Sequence, residues 1–336
     1  DFCEMTFLKQ QFGLILGGII IGILICNIKQ RNHYRQKSAF DVNMFSRVYE
    51  RSIIRDKRSN QDDSTEVIRN ARIIANKTEN GIVAVTMVNE AYLEMTYSWL
   101  CNTVNMSVHE QVLIIATDEI ALRKLRSDWP NVVSVLYSIL TKDVTEKAKC
   151  AWKLFNRSLL ARSLLKNNVH ILLFEVDAVW FSSPFPLLQS LSHYDLVGAQ
   201  LSTRNRYIAA GFVSVRPTIA SRDIFTYVID NLLNGHYSKG DSTSPDVNDQ
   251  IYLHDAIVSH HTLKYKLLDF NIIEDGLWYL QLHDTSNPHQ SRPVVLNNNW
   301  IIEREVKIAT AKESGHWFLD KSNTCDWENV IRITKQ

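Results

Sequence analysis

Excess charge of one sign is missing from this sequence. Its 336 residues carry 37 Lys+Arg against 36 Asp+Glu, a formal net charge of +1, whereas a nucleic-acid binder needs a marked basic excess. Cysteine is sparse: there are five, none in a C-x-x-C pair, which argues against a structural zinc site. Cys3 and Cys26 lie before or inside an apolar run, leaving Cys101, Cys150 and Cys325 for at most one disulfide in the globular part. No period of roughly 20–50 residues repeats, so solenoids and propellers are excluded. His260-His261, His283 and His289 lack the spacing of a helical metal pair. No nucleophile or triad pattern supports a hydrolase.

What is there divides the chain. Residues 1–11 form a short tail, and residues 12–28 run without a charge, at the short end of what spans a bilayer. No small-x-small cleavage site follows, so an uncleaved signal-anchor is expected rather than a removed signal peptide. Residues 29–80 hold twelve Lys/Arg against seven Asp/Glu and read as a stem. Phe40, Met44, Val48 and Ile53 recur at helical intervals there, with a break at Asp62-Asp63-Ser64-Thr65 before a second short helix. Orientation is contested. Lys29, Arg31, Arg35 and Lys37 would hold the following side in the cytoplasm, but three glycosylation sequons, at Asn76, Asn105 and Asn156, favour a lumenal globular part.

The remainder, residues 81–336, alternates apolar runs with amphipathic segments. Strands are expected at 81–88, 111–116 and 131–136, a helix at 120–126, and a long helix marked by Trp152, Phe155, Leu159 and Leu164. That alternation is the grammar of an α/β domain with a mostly parallel sheet flanked by helices. Ligands of such sheets bind outside the carboxyl ends of the strands, where Asp118, Glu175 and Asp177 fall. Further strands are expected at 195–199, 210–216, 267–270 and 294–296, with helices at 221–234 and from Asp246.

The run from Val169 to Phe181 reads as one buried strand carrying two carboxylates, Glu175 and Asp177, near its end. A spacing of two puts both on one face of a strand. Unpaired, they would repel and resist desolvation, so they need a positive partner. A divalent metal is the simplest; the alternative is an N-cap or a salt-bridged strand end.

Several segments then carry a resemblance in order. They are Gly81–Val88 with Trp99, Glu175–Phe181 with Pro184, Gly211-Phe212 with Arg216-Pro217-Thr218, Asp249-Gln250, Asp275–Tyr279, and Asn298-Asn299-Trp300-Ile301 with Lys307. Over about residues 81–320 the chain resembles the nucleotide-diphospho-sugar transferase family, which includes plant xylosyl- and arabinosyltransferases of cell-wall polymers. The resemblance implies a GT-A-type, Rossmann-like fold on a single-pass type II Golgi membrane protein with a lumenal catalytic domain. It implies a glycosyltransferase that moves a sugar from a nucleoside-diphosphate donor to a glycan or protein hydroxyl with retained configuration. It also implies Mn2+, or another divalent cation, held by Glu175, Asp177 and the donor diphosphate, with Asn297 as distal partner.

A cation of this kind takes oxygen ligands and neutralises the leaving diphosphate without a proton transfer. Lys307 and Arg157, or Arg162 on the same helix, are candidate phosphate contacts. Asp249 and Gln250 either match the family's catalytic-loop pair or are first-turn helix residues. Trp180 and Trp300 either stack on sugar or base or belong to the core. The chain departs from the family pattern at Glu175, where many members have aspartate; the change keeps an oxygen ligand but moves it about one methylene further out. A second, more serious departure points to weakened activity. Asn297 stands where the family often has histidine, and Glu303 where it often has a glycine that lets backbone approach phosphate. The alternative function is a catalytically silent nucleotide- or sugar-binding protein on the same fold.

Overall fold

The computed structural model describes residues 59–138, 146–201, 207–234, 249–279, 292–299, 301 and 303–334. The expected membrane span at 12–28, the stem up to residue 58 and Trp300 lie outside the described residues. No helix among the described residues is long and apolar enough to cross a membrane.

Seven strands form the main sheet: β1 (Ile82–Val88), β2 (Val112–Ala116), β3 (Val133–Leu136), β4 (His170–Phe174), β6 (Leu196–Gln200), β7 (Ile208–Val215) and β8 (Tyr265–Leu268), in the order β3-β2-β1-β4-β7-β6-β8. All neighbouring pairs are parallel except those of β7, which runs against both β4 and β6. The expected mostly parallel α/β sheet is therefore what the chain builds. Its central strands are apolar because both faces are covered, while the edge strand β8 keeps Tyr265 and Lys266 exposed. In β2, Val112, Ile114 and Ala116 pack into one core layer while Leu113 and Ile115 pack into the other.

Four helices cover the second of those layers: α1 (Ser59–Lys77), α4 (Glu146–Lys166), α6 (Ile219–Asn234) and α7 (Asp249–Ser259). Opposite them lie α2 (Leu93–Thr103), α3 (Glu119–Asp128), α8 (Arg304–Glu313) and α9 (Trp327–Thr334). The short α5 (Phe185–Ser190) adds Phe185 and Leu188 to the same side. One disulfide, Cys101–Cys325, ties α2 to the turn before α9 across 224 residues of sequence.

Two sequence expectations change here. Residues 59–77 are one helix without a break at Asp62–Thr65, and they are not a free stem: Val67, Ala71 and Ile74 are fully covered against the sheet. The folded body thus starts before residue 81, because burial of one helix face outweighs the weak helix preference of Asp, Ser and Thr. The run 169–181 is likewise not one strand. It ends as β4 at Phe174, turns through residues 175–178, where the Ala178 amide donates to the Glu175 carbonyl at 3.2 Å, and restarts as β5 (Val179–Trp180). The latter leaves the main sheet for a small second one, ordered β5-β10-β9, with β9 (Ile273–Asp275) and β10 (Val295–Asn297).

Candidate functional site

The turn between β4 and β5 sits at the carboxyl edge of the main sheet, where α4, α7, α8, β7 and β10 converge on it. Because the chain turns there, Glu175 and Asp177 do not share a strand face as the spacing predicts. They point into different surroundings. Asp177 is covered, its side chain 6% exposed, and meets the equally covered Lys307 of α8, 2.5 Å from Nζ to Oδ2. Glu175 stays 40% exposed and meets Arg157 of α4 at 3.4 Å.

Arg157 gathers a second set. Its guanidinium lies 4.0 Å from Oδ2 of Asp249, at the start of α7, and donates to the Ala210 carbonyl in β7. Gln250 accepts from the Ala210 amide at 3.1 Å, so the α7 start is stitched to β7 beside the acidic turn. Glu175 is held to the same strand, its amide donating to the Gly211 carbonyl at 3.1 Å. A side chain on Gly211 would strike the Asn297 amide oxygen at 2.8 Å and the Glu175 carboxylate at 3.1 Å. Glycine there lets β7, the Glu175 carboxylate and the end of β10 come together.

Burial dominates the electrostatics. It pushes the Asp177 carboxyl up, Lys307 pulls it back, and the Glu175 charge adds to the rise. Asp249 is raised in the same way, mainly by burial, with Arg157 opposing and Glu175 reinforcing. Both effects of Glu175 follow from its place between the other two carboxylates. Burial and the Asp177 charge also raise the Tyr279 phenol, whose hydroxyl is 3.2 Å from Nδ1 of His316.

Behind the turn lies a cavity of about 20 Å³, room for one water-sized group, lined among others by Asp177, Asn298, Lys307, His316 and Trp317. Two buried oxygens, Oδ1 of Asp177 and Oδ1 of Asn298, have no hydrogen-bond partner among the described residues; Oδ1 of Asn297 is a third. His316 was not foreseen. It is a single histidine between Gly315 and Trp317, and nothing in its local pattern marks it.

The other expected residues fall as follows. Asp118 lies at the carboxyl end of β2 but spends both oxygens on backbone, accepting from the Ala121 amide as N-cap of α3 and from the Glu90 amide, each at 2.8 Å. Trp180 is fully buried, edge-on to Trp99 with ring centres 5.1 Å apart, which makes it core. Glu303 is exposed at the N-terminus of α8 and stays off the buried pair. No group of three or more His, Cys, Asp or Glu able to hold a metal exists among the described residues; the oxygens nearest the turn come from Glu175, Asp177 and the Asn297 side-chain amide, with Asp249 drawn to Arg157.

An α/β chain with buried acids and bases gathered at the carboxyl edge of its sheet belongs with proteins that take ligands outside that edge. This chain belongs to the nucleotide-diphospho-sugar transferase family: a model of that family matches residues 107–310. It is an enzyme of the nucleotide-sugar-dependent glycosyltransferase class. It is 24% identical over 265 residues to a UDP-D-xylose:L-fucose alpha-1,3-D-xylosyltransferase of Arabidopsis thaliana, spanning 72% of this chain and 70% of that one. To a beta-arabinofuranosyltransferase of the same plant it is 25% identical over 271 residues, spanning 74% and 50%. Among solved structures, the apo form of the glycosyltransferase GlyE from Streptococcus pneumoniae TIGR4 aligns with a TM-score of 0.47 and 13% identity, over 74% of this chain and 62% of that one.

Proposed function

We propose that the chain transfers a sugar, with retained configuration, from a nucleoside-diphosphate donor to a hydroxyl of a glycan or glycoprotein, and that the donor diphosphate sits against the turn 175–178. The observation that carries this reading is the buried Asp177–Lys307 pair beside the Glu175–Arg157–Asp249 set. Family membership supplies the class of donor, and the name of the xylosyltransferase relative makes UDP-D-xylose the first donor to try.

Lys307 and Arg157 are the diphosphate contacts in this reading, one a point charge and the other a planar fork. Asp249 and Gln250 flank the sugar: Gln250 is fixed by the Ala210 amide, and Asp249 is held by Arg157. A divalent cation fits the donor chemistry on this chain's side. Glu175, the buried unpartnered Oδ1 of Asp177 and that of Asn297 are oxygen ligands suited to Mn2+ or Mg2+. Bound there with the diphosphate, such a cation neutralises charge on the leaving oxygens. The protein keeps its part without it: burial of the pair excludes water, and the two basic side chains hold the leaving group in register.

Titration calorimetry with UDP in the presence and absence of Mn2+, run beside a UDP-xylose hydrolysis assay, tests the reading. Binding with slow release of free sugar is expected. UDP binding without turnover on any donor would favour a silent module, for which Asn297 in the distal position is the supporting observation. Absence of UDP binding would end both. A Golgi, lumenal placement behind a signal-anchor at 12–28 completes the proposal. It draws support from the sequons at Asn76 and Asn105, both on exposed positions.

A further inference from the structure

We propose that Tyr207 and His254 form a platform for the acceptor, on which an uncharged sugar ring lies with its apolar C–H face against the phenol. This rests on the nucleotide-sugar reading above and deepens it by placing the second substrate. The two rings stack, their centres 3.9 Å apart and their planes 26° from parallel. The imidazole covers one side of the phenol, yet Tyr207 keeps 38% of its surface open to solvent. A lone exposed tyrosine needs no explanation. One held by a second ring beside a ligand site is a preformed surface.

The backbone sets where the platform stands. Strand β7 pairs with β4 only from Phe212 to Val215, so its first half runs on past the end of β4 and past the acidic turn. Tyr207 lies at the outer end of that extension, its carbonyl accepting from the Leu201 amide at 2.8 Å. Helix α7 leaves the turn beside it. Asp249 lies 4.0 Å from Arg157, Gln250 accepts from the Ala210 amide at 3.1 Å, and His254 follows one helical turn later, about 6 Å along the axis. Strand and helix thus leave the acidic turn together and meet again at the stacked pair. With the donor diphosphate at the turn and its sugar at Asp249 and Gln250, the next ring-sized place outward belongs to the acceptor.

The chemistry of the pair names the ligand. Burial lowers the His254 imidazole below its usual value, with Asp255 opposing, so the ring is neutral at pH 7. A neutral imidazole and a phenol give no ion pair to an acidic or basic group. They offer dispersion and exclusion of water to the C–H face of a sugar, whose hydroxyls stay at the wet rim. A nucleotide base also stacks on rings, but in a nucleoside-diphosphate sugar it lies across the diphosphate from the transferred sugar, and so away from Gln250.

The experiment is saturation-transfer NMR on the full chain with saturating UDP and Mg2+, irradiating aromatic protons only. Methyl β-D-xylopyranoside, methyl β-D-galactopyranoside and methyl α-L-fucopyranoside are offered one at a time. At least one should receive saturation, concentrated on the C–H protons of one ring face. Tyr207→Ala should cut that signal about tenfold, and Tyr207→Phe should keep it. In transfer assays with UDP-D-xylose, Tyr207→Ala should raise the KM for that acceptor about tenfold rather than lower kcat; a tyrosine that only holds α7 against β7 would lower kcat instead. Signal on none of the three overturns the proposal, as does signal that survives in Tyr207→Ala. A tenfold loss of UDP affinity in Tyr207→Ala also overturns it, since the base would then occupy the ring, and leaves the glycosyltransferase reading intact. Should UDP not bind the parent chain, that reading falls, and the pyranoside signal without UDP still decides the platform. Should Tyr207→Ala not fold by circular dichroism, the parent chain decides: saturation spread evenly over both faces of the sugar overturns the proposal.

Discussion

Gly276 sits where no side chain can. A Cβ on it would lie 1.7 Å from the Asn299 carbonyl oxygen, and its amide donates to Oδ1 of Asn299 at 2.8 Å. Gly276→Ala must push backbone against backbone beside Asn297 and Asn298, so a loss of about 3 kcal/mol is expected in urea unfolding, with weaker UDP binding in what remains folded. A second residue reports on pH. Burial holds the His170 imidazole down at about 4, the Arg216 charge adding to the effect, and its Nε2 is 2.9 Å from the Ser214 hydroxyl. The unfolded chain takes up this proton as pH falls through about 6.5 and the fold does not until about 4. Stability is therefore lost between those two values and no further below them. His170→Gln should remove on the order of 2 kcal/mol of that dependence, read as the difference in urea midpoint between pH 7 and pH 4.5 for the two proteins. At this scale the acidic pair was legible because carboxylates ending an apolar run need a partner. The partner's identity was not, since Lys307 lies 130 residues away and periodicity carries no information across that distance.

Among the elements, α2 is joined to the acidic turn through one side chain. Asn102, fully buried, accepts from the Trp180 amide at 2.8 Å and donates to its carbonyl at 2.9 Å, completing the open edge of β5. Asn102→Ala strands both backbone groups away from water, so a loss of about 3 kcal/mol is expected in denaturant titration. The side-chain pairing replaces a strand, and such a replacement leaves no apolar pattern to read. The central strands of the main sheet were legible for the opposite reason: each is a short apolar run covered on both faces, whereas the edge strand β8 keeps Tyr265 and Lys266 exposed. Their directions were not, because alternation is the same for a strand running either way, and β7 runs against its neighbours. The turn at 175–178 was hidden by Val176, Ala178 and Val179, which continue the apolar run straight through it. β10 falls on the run expected at 294–296, whereas β9, three residues ending in Glu274-Asp275, is too short and too polar for any periodicity.

For the whole molecule, burial sorts the three sequons. Asn76 and Asn105 are exposed, whereas Asn156 is 5% exposed and accepts from the Tyr137 hydroxyl at 3.2 Å. If the globular part is lumenal, Asn105→Gln should reduce the mass released by endoglycosidase, and Asn156→Gln should leave it unchanged. A full-length protein with no releasable glycan would count against the lumenal placement.

The distance along the chain between Asp177 and Lys307 also has a temporal side. A ribosome adding on the order of 5–20 residues per second delivers Lys307 about ten seconds after Asp177, and Cys325 later still. Until then the β4–β5 turn has no lysine to bury its aspartate against, and the sheet edge stays wet.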